Sequence, residues 1–297
     1  MARKRDIAIG VIIAVCFLFF VGIMLVSFME MYGGDSDLFA FEDRIAIVDV
    51  IGAITSSDEV VRQIKKYGDD GSIAAILIHV DSPGGGVAVT QEIYDELMRV
   101  RIEKEKLIVV SMSSVGASGG YYLSCAADQI IANPGTLTGS IGVILDYMIL
   151  EGLADKVGIS HETIKSGDVK DVGSPWRQPT EKDRQMLQAA IDDTYEQFVE
   201  VVMEGRNLTR EEVLEVADGS IFTGRQALDL GLVDRLGSYE EAIRITAELV
   251  GIEGEPSTIK ERPRRRATLW DVLQGTVLGF VEERVLSPGP ELKYLFR

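Results

Sequence analysis

Apolar positions in the middle of the chain form two patterns, short continuous apolar runs and longer stretches with helical spacing. Short apolar runs next to glycine-rich or polar residues are typical of buried strands, and apolar positions three or four residues apart are typical of helices. The two patterns alternate, which predicts an α/β domain with largely parallel, buried strands. The predicted strands are 44–51, 74–80, 107–112, 129–132 and 140–145, and the predicted helices are 57–66, 87–103, 117–127, 181–204 and 239–250.

A long apolar run, residues 7–28, precedes this domain. Its 22 uncharged residues are enough for a helix that crosses a hydrocarbon core of about 30 Å. Basic residues precede the run and acidic residues follow it, so the positive-inside bias places residues 1–6 in the cytoplasm. A cleaved signal peptide is the alternative, but the run is long for one and ends without a small-x-small site. We expect a single-pass anchor in the cell membrane, a tether at 29–43 and an extracytoplasmic domain.

A change of composition near residue 251 marks the predicted end of the compact domain, which we place at 44–251. Residues 252–297 form an extension in which five of the seven residues 260–266 are cations. Residues 268–286 carry apolar side chains roughly along one stripe. This stripe could dock on the protein or on a neighbouring subunit, or it could contact a membrane surface.

Charge and cysteine content exclude some classes of partner and bond. The net charge of −17 argues against nucleic acid as a general partner, because phosphate binding needs a basic face. The two cysteines, Cys16 and Cys125, lie in the apolar run and in a predicted helix, so a disulfide between them is implausible. The sequence gives no reason to expect a metal or a cofactor.

Ser118 is the first candidate for chemistry. It lies in GASGG, residues 116–120, where small neighbours leave its hydroxyl open. It also lies at the start of a predicted helix, where unpaired N–H groups and the helix dipole favour negative charge. These features point to a nucleophile, and an ordinary N-cap serine is the alternative. The segment fits the G-x-S-x-G pattern of α/β-hydrolases, which needs an acid and then a histidine downstream.

The glycine-rich segment DSPGGG, residues 81–86, is a second candidate. It follows a predicted strand directly and precedes a predicted helix. Glycines there allow a tight turn and leave main-chain N–H groups open, which suits an oxyanion hole. An ordinary strand-to-helix turn is the alternative, and a phosphate-binding loop is disfavoured because no Gly-Lys-Ser/Thr follows.

The identity of the base is open on residue pattern alone. His161 is the one histidine downstream of Ser118, and His79 lies upstream in an apolar strand, so both are better explained as structural residues. A lysine can act as the base when burial keeps it neutral. Lys165 and Lys170 both lie in a glycine-containing loop before a long predicted helix.

Four segments taken together resemble the serine-type signal peptide peptidase family, also called protease IV, in its short, single-repeat form. The resemblance runs from about Arg44 to Val250. The segments are ASGGYYLSCAAD at 117–128, TGSIGV at 138–143, IKSGDVKDVGSPWR at 164–177 and GSIFTGRQALDLGLVDRLG at 219–237.

The resemblance implies a role for four positions. Ser118 matches the family's nucleophile, and Lys170 rather than Lys165 matches its lysine base. Ser140 matches a serine that positions this lysine. Gly85 matches an oxyanion-hole residue, with the N–H of Ser118 as the second donor. The implied chemistry is a Ser–Lys dyad that hydrolyses peptide bonds.

The resemblance also implies a fold, an assembly and a substrate class. The fold would be that of Clp protease and the crotonases, built from ββα units, in a ring-like homo-oligomer that could be an octamer. The substrates would be cleaved signal peptides in or at the membrane. Two alternatives are a Ser–Lys membrane protease with other membrane or misfolded clients, and a crotonase-like acyl-CoA enzyme. A further hypothesis is that the extension 252–297 visits the active-site groove as a peptide.

Overall fold

A computed structural model of the chain describes residues 44–261, the backbone of 292–295, and three helical residues of the apolar run, Phe17, Phe20 and Val21. The chain divides into two units, Met1–Glu42 and Asp43–Arg297. Apart from those three residues, the predicted anchor, tether and amphipathic stretch lie outside the described residues. None of the helices in the described ranges is both long and apolar enough to cross a membrane.

Strands and helices alternate through the second unit, as the sequence predicts. The strands are β1 Arg44–Ile51, β2 Ile73–Ser82, β3 Gly84–Gly86, β4 Leu107–Ala117, β5 Gln129–Ala132, β6 Leu137–Gly139, β7 Ile144–Leu145, β8 Ile221–Thr223, β9 Arg235–Leu236, β10 Thr258–Lys260 and β11 Leu292–Leu295. The helices are α1 Asp58–Asp69, α2 Val87–Glu103, α3 Gly119–Ser124, α4 Glu151–Val157, α5 Glu181–Arg206, α6 Arg210–Leu214, α7 Gly224–Asp229 and α8 Tyr239–Leu249.

The strands form two sheets. The larger has the order β10-β1-β2-β4-β5-β9, with β6 attached to β4 and β8 attached to β6. Every pair in it is parallel except β6–β8. The smaller sheet, β3-β11-β7, is antiparallel. The largely parallel main sheet confirms the predicted mixed α/β architecture.

Both faces of the main sheet are buried, which explains the continuous apolar runs. In β1, Ala46 and Val48 belong to a core layer shared with residues of α1, α2, α3 and α5. Ile45 and Ile47 belong to a second layer, which α8 covers. Because successive strand side chains point to opposite faces, each central strand serves both layers.

The strand ends determine where chemistry can occur. Near their ends β2 and β4 lie side by side, and Ser82 pairs with Gly116. Each strand is followed by a glycine-rich segment and then a helix, α2 or α3. The carboxyl ends of parallel strands are the usual place for ligand sites in open α/β sheets.

Two predicted boundaries are wrong for one local reason. The helix predicted to begin at 117 begins at Gly119, and only part of the predicted strand 140–145 is a strand, Ile144–Leu145. Ser118 and Ser140 have φ angles of 53° and 50°, outside the regions of right-handed helix and extended strand. Each residue therefore interrupts the element in which the apolar pattern had placed it.

Candidate active site

Ser118 lies between the end of β4 and the first residue of α3. Its N–H donates to Gly139 O at 2.8 Å, and its C=O accepts from the Tyr122 N–H at 2.8 Å. Its hydroxyl makes no capping hydrogen bond to α3, which removes the N-cap explanation. The residue is 1% exposed and has positive φ, a strained conformation for a non-glycine residue that is common at active sites.

Small residues around Ser118 let α3 pack directly on the glycine-rich segment. A Cβ on Gly119 would lie 2.9 Å from Thr90 Oγ1 and 3.2 Å from the Gly85 nitrogen. A Cβ on Gly120 would lie 2.8 Å from the carbonyl oxygen of Ser82. These contacts explain the GASGG segment, because larger residues would push Ser118 away from residues 84–86.

Ile54 and Ser82 hold the glycine-rich segment in place. The N–H of Ile54 donates to Gly84 O at 2.9 Å, and Ile54 O accepts from the Gly86 N–H at 3.0 Å. The Ser82 hydroxyl accepts from the Gly84 N–H at 3.1 Å and donates to Gly52 O at 2.6 Å. Because successive peptide groups of an extended segment point in opposite directions, the N–H of Gly85 faces away from Ile54.

The edge that Gly85 faces is occupied by another segment of this chain. Strand β11 pairs with β3, with Tyr294 opposite Gly85 and Leu295 opposite Gly84. On its other side β11 pairs with β7, with Lys293 opposite Ile144. An extended segment therefore fills the space between β3 and β7, which is the way a peptide adds a strand to an exposed sheet edge.

Ser140 follows β6 directly and is close to Ser118 in the fold. Gly139, the residue before it, accepts the Ser118 N–H, and the Ser140 N–H donates to Ser220 O at 2.7 Å. Ser118, Ser140 and the loop containing Gly85 thus come together from three separate parts of the chain.

Lys170, the second residue of the proposed dyad, lies on the surface of the chain. It is exposed, in a series of turns in which its N–H donates to Gly167 O at 3.1 Å. Within the described part of the chain, no hydrogen bond joins Lys170 to Ser118 or Ser140.

Lys165 is already engaged with other groups. Its Nζ lies 2.7 Å from Asp171 Oδ1 and donates to Asp168 O at 2.7 Å. Arg177 and then Lys165, by hydrogen bonding to Asp171, hold the pKa of that carboxyl well below its usual range. Because Asp171 bonds to these two cations, its side chain is directed to them and not to the neighbouring Lys170.

Neither histidine is linked to Ser118. His79 Nδ1 lies 3.2 Å from Asp49 Oδ1, and its ring packs on Tyr239 of α8, with 4.6 Å between centroids. His161 is exposed and stacks on Trp176, with 5.3 Å between centroids. A histidine-based triad with Ser118 is therefore not formed in the described residues.

Cys125 is a buried thiol, and the described acidic residues form no metal-binding cluster. Cys125 is free and buried, and burial raises the pKa of its thiol to about 12, so it is an unreactive thiol. Cys16 lies outside the described residues. In the ranges that the structure describes, no three His, Cys, Asp or Glu side chains are grouped so that they could hold a metal.

Comparison with known proteins assigns the chain to a family. The profile of peptidase family S49 matches residues 101–253, which include Ser118, Ser140 and Lys170. The chain belongs to peptidase family S49. It is a serine peptidase of the signal peptide peptidase, or protease IV, type, as the sequence predicts, and this assignment displaces the acyl-CoA alternative.

Three relatives of this S49 peptidase show the extent of the similarity. A Synechocystis protein named as a protease is 48% identical over 211 residues, which is 71% of this chain and 76% of that protein. A Methanocaldococcus jannaschii protein named as a protease is 34% identical over 84% of both chains. An Enterococcus faecium protein named as a signal peptide peptidase is 40% identical over 61% of this chain, and the match spans about half of its length, 52%.

Proposed function

We propose that this S49 peptidase is an endopeptidase with a Ser118–Lys170 dyad, anchored in the cell membrane by residues 7–28 and acting on cleaved signal peptides. The observation that carries the proposal is the extended segment paired with Gly84–Gly86. It marks a groove in which a peptide main chain would lie along the edge faced by the Gly85 N–H. The buried Ser118 directly precedes the helix beside that edge.

The proposed chemistry assigns roles to Ser118, Lys170 and Gly85. Ser118 Oγ attacks the peptide carbonyl carbon while Lys170 Nζ accepts the hydroxyl proton. The carbonyl oxygen takes the displaced electron pair, and the Gly85 N–H stabilises its charge. The C–N bond then breaks, and Lys170 returns the proton to the leaving amine. Water, deprotonated by Lys170, then attacks the acyl carbon, the ester C–O bond to Ser118 breaks, and Lys170 returns the proton to Ser118 Oγ as the acid product leaves.

The second oxyanion donor has a competing partner. The N–H of Ser118 donates to Gly139 O. In our proposal this N–H contributes to the oxyanion hole by sharing or exchanging that bond when a substrate binds. Ser140, next to Gly139, would accept a hydrogen bond from Lys170 and orient its amine.

A second copy of the chain would complete the site. Lys170 is exposed and makes no hydrogen bond to Ser118 in the described residues, and several large apolar side chains in the preceding segment 148–164 are also exposed. These exposed side chains are Met148, Ile149, Leu153, Val157, Ile159 and Ile164. Covering them with a neighbouring subunit would bury apolar surface and bring a lysine to each serine, in keeping with a ring-like homo-oligomer.

The proposal on substrate and location rests on sequence features and on family. The anchor predicted at 7–28 would place the peptidase domain beside the outer face of the membrane, where signal peptides remain after preprotein cleavage. The ββα architecture of Clp protease and the crotonases is the finer fold that we propose within the observed mixed α/β class. Other membrane or misfolded proteins are the alternative clients.

The test is peptide cleavage by the full chain in detergent, with a signal-peptide sequence as substrate. We expect Ser118→Ala and Lys170→Ala each to lower kcat by at least about 10³-fold, because nucleophile and base act as one unit. Ser114→Ala on the same strand and Lys156→Ala on α4, both at exposed positions, are matched controls that should keep full activity.

Mixed assemblies test where the lysine comes from. When the two inactive variants are assembled together, a dyad shared between subunits regenerates intact sites and restores activity. A dyad within one subunit restores none, which would contradict the shared site. The dyad itself would be wrong if Lys170→Ala stayed active while Lys165→Ala did not.

A further inference from the structure

The loop that carries Lys170 has no regular secondary structure. It runs from the end of α4 at Val157 to the start of α5 at Glu181, and its main chain forms turns, bends and irregular segments. Loops of this length usually move unless side chains hold them. A general base must nevertheless be held within about 1 Å of its productive position, because a shift of that size can cost about 10²-fold in rate. The question is what holds this loop.

Three charged residues join the loop to α5. Asp171 Oδ1 accepts from Arg177 Nη2 at 2.7 Å, and Arg177 Nη1 donates to Asp183 Oδ2 at 2.5 Å. Asp183 is fixed in turn, because it accepts from the Thr180 N–H at 2.8 Å and its own N–H donates to Thr180 Oγ1 at 3.2 Å. We call Asp171, Arg177 and Asp183 the loop clamp.

The loop clamp is much more enclosed than ordinary surface ion pairs. The side chains of Asp171 and Asp183 are 12% and 1% exposed, and that of Arg177 is 24% exposed. Hydrogen bonds from Arg177 hold the pKa of both carboxyls well below the usual range, so both are ionised at neutral pH. Exposed pairs contribute little to stability, but paired, enclosed charges resist displacement because separating them leaves a charge unpaired.

The clamp ends at the residue next to the proposed base. Asp171 is bonded covalently to Lys170, so fixing its carboxylate to Arg177 limits the movement of the main chain at position 170. Asp183 lies in the first turn of a 26-residue helix, the longest rigid element available to this loop. Lys165 closes the other side of the loop by pairing with the same Asp171 oxygen.

We propose that the loop clamp positions Lys170 for proton transfer with Ser118 by fixing the Lys170 loop to the start of α5. This inference rests on the proposed function, since it takes Lys170 as the base. Asp171, Arg177 and Asp183 are then positioning residues: they act through Lys170 and do not touch the substrate.

The experiment compares kcat and KM for peptide cleavage by full-chain variants. Asp171→Asn keeps the Arg177–Asp183 pair and removes the charge from the link to the loop, together with the Lys165 ion pair, whereas Arg177→Gln removes the charge from both links of Arg177. We expect each variant to lower kcat about 10- to 100-fold with KM within about threefold, because peptide binding at β3 is untouched. The double variant should lose no more activity than the more impaired single variant, because either substitution already weakens the connection between the loop and α5.

Arg184→Gln is the matched control. Arg184 is the next residue along α5 after Asp183, and it forms an exposed pair with Glu181 at 3.9 Å, so its loss should change kcat less than twofold. Retention of full kcat by Asp171→Asn, or a rise in KM alone, would overturn the inference. Lys170→Ala distinguishes a failure of the clamp from a failure of the proposed function. If it is inactive while Asp171→Asn is fully active, only the clamp fails, and if it is fully active, the proposed function fails first.

Discussion

A side chain at position 85 would collide with the main chain of Ile54. A Cβ built there would lie 2.1 Å from the Ile54 carbonyl oxygen and 2.6 Å from its nitrogen, and neither atom can move without breaking the pairing described above. Glycine at 85 is therefore needed for close approach of two main chains, in addition to leaving an N–H open.

We expect Gly85→Ala to destabilise the fold by about 1–3 kcal/mol, as overpacking does, and to lower kcat by about 10²-fold or more by moving an oxyanion donor. Gly135→Ala is the control, since nothing lies within 4 Å of the Cβ that would be added there. Urea unfolding and peptide cleavage measure the two effects. Unchanged stability in Gly85→Ala would show that the close approach is not maintained.

The sequence predicts those site residues that are marked by the type of the residues next to them. Ser118 among small residues and Gly85 among glycines are examples. Ile54, which holds the glycine-rich segment through main-chain bonds alone, gave no such signal, because any residue type offers the same N–H and C=O groups. The loop clamp was also missed, because nothing in the local sequence shows that Asp171, Arg177 and Asp183 meet in the fold.

At the scale of elements, strand β10 is held to the domain by charges at its end. Glu261, the next residue, accepts from Arg62 Nη2 at 2.5 Å and from Lys66 Nζ at 2.7 Å, both on α1. The hydrogen bond from Arg62 is the main cause, and that from Lys66 the second, of a pKa of Glu261 lowered to about 2. Lys260 Nζ lies 2.8 Å from Asp49 Oδ2 on β1.

This pairing predicts a pH dependence of stability. Because the folded pKa of Glu261 is below its ordinary value of 4.5, its stabilisation is complete above pH 4.5 and is lost as the pH falls towards 2. The partners are partly exposed, so we expect Glu261→Gln to cost about 1 kcal/mol or less at pH 7 and progressively less below pH 4.5. Urea unfolding at pH 7, 4.5 and 3 measures this, with the exposed Glu255→Gln as control. An equal cost at all three values would argue against the ion pair.

The predicted strand 44–51 and the predicted helix 87–103 have the bounds that the apolar pattern predicts. The helix predicted from 181 begins at Glu181, with Thr180 and Asp183 forming a complete capping box. Prediction failed where backbone conformation overrides the pattern, at Ser118 and Ser140. A positive φ at a serine depends on tertiary hydrogen bonds, such as that from the Ser118 N–H to Gly139 O, which no local pattern encodes.

At the scale of the whole molecule, residues far apart in sequence share one site. Gly85, Ser118 and Ser140 converge because parallel strands end at one edge, which alternating strands and helices predict. The sequence suggested, as one hypothesis, that the extension visits the groove, and β11 pairs with β3. The register of that pairing was not predicted. Register here depends on glycines without side chains, which leave little pattern to specify it.

Removal of residues 292–297 tests that pairing in function. We expect the shortened chain to cleave short peptides with a KM about tenfold lower and an unchanged kcat, because the groove is freed while the dyad is kept. A synthetic peptide of residues 288–297 should then inhibit the shortened chain competitively. An unchanged KM would mean that β11 does not occupy the groove in solution.

A strand tethered beside its own groove acts as an internal competitor whose concentration cannot be diluted. Its effective concentration is set by the length of chain between β10 and β11 and reaches the millimolar range for short flexible connections. Peptides that are scarce or bind weakly would lose this competition, while peptides concentrated in two dimensions at a membrane would win it. The same segment would thereby restrict the peptidase to substrates whose local concentration exceeds a threshold.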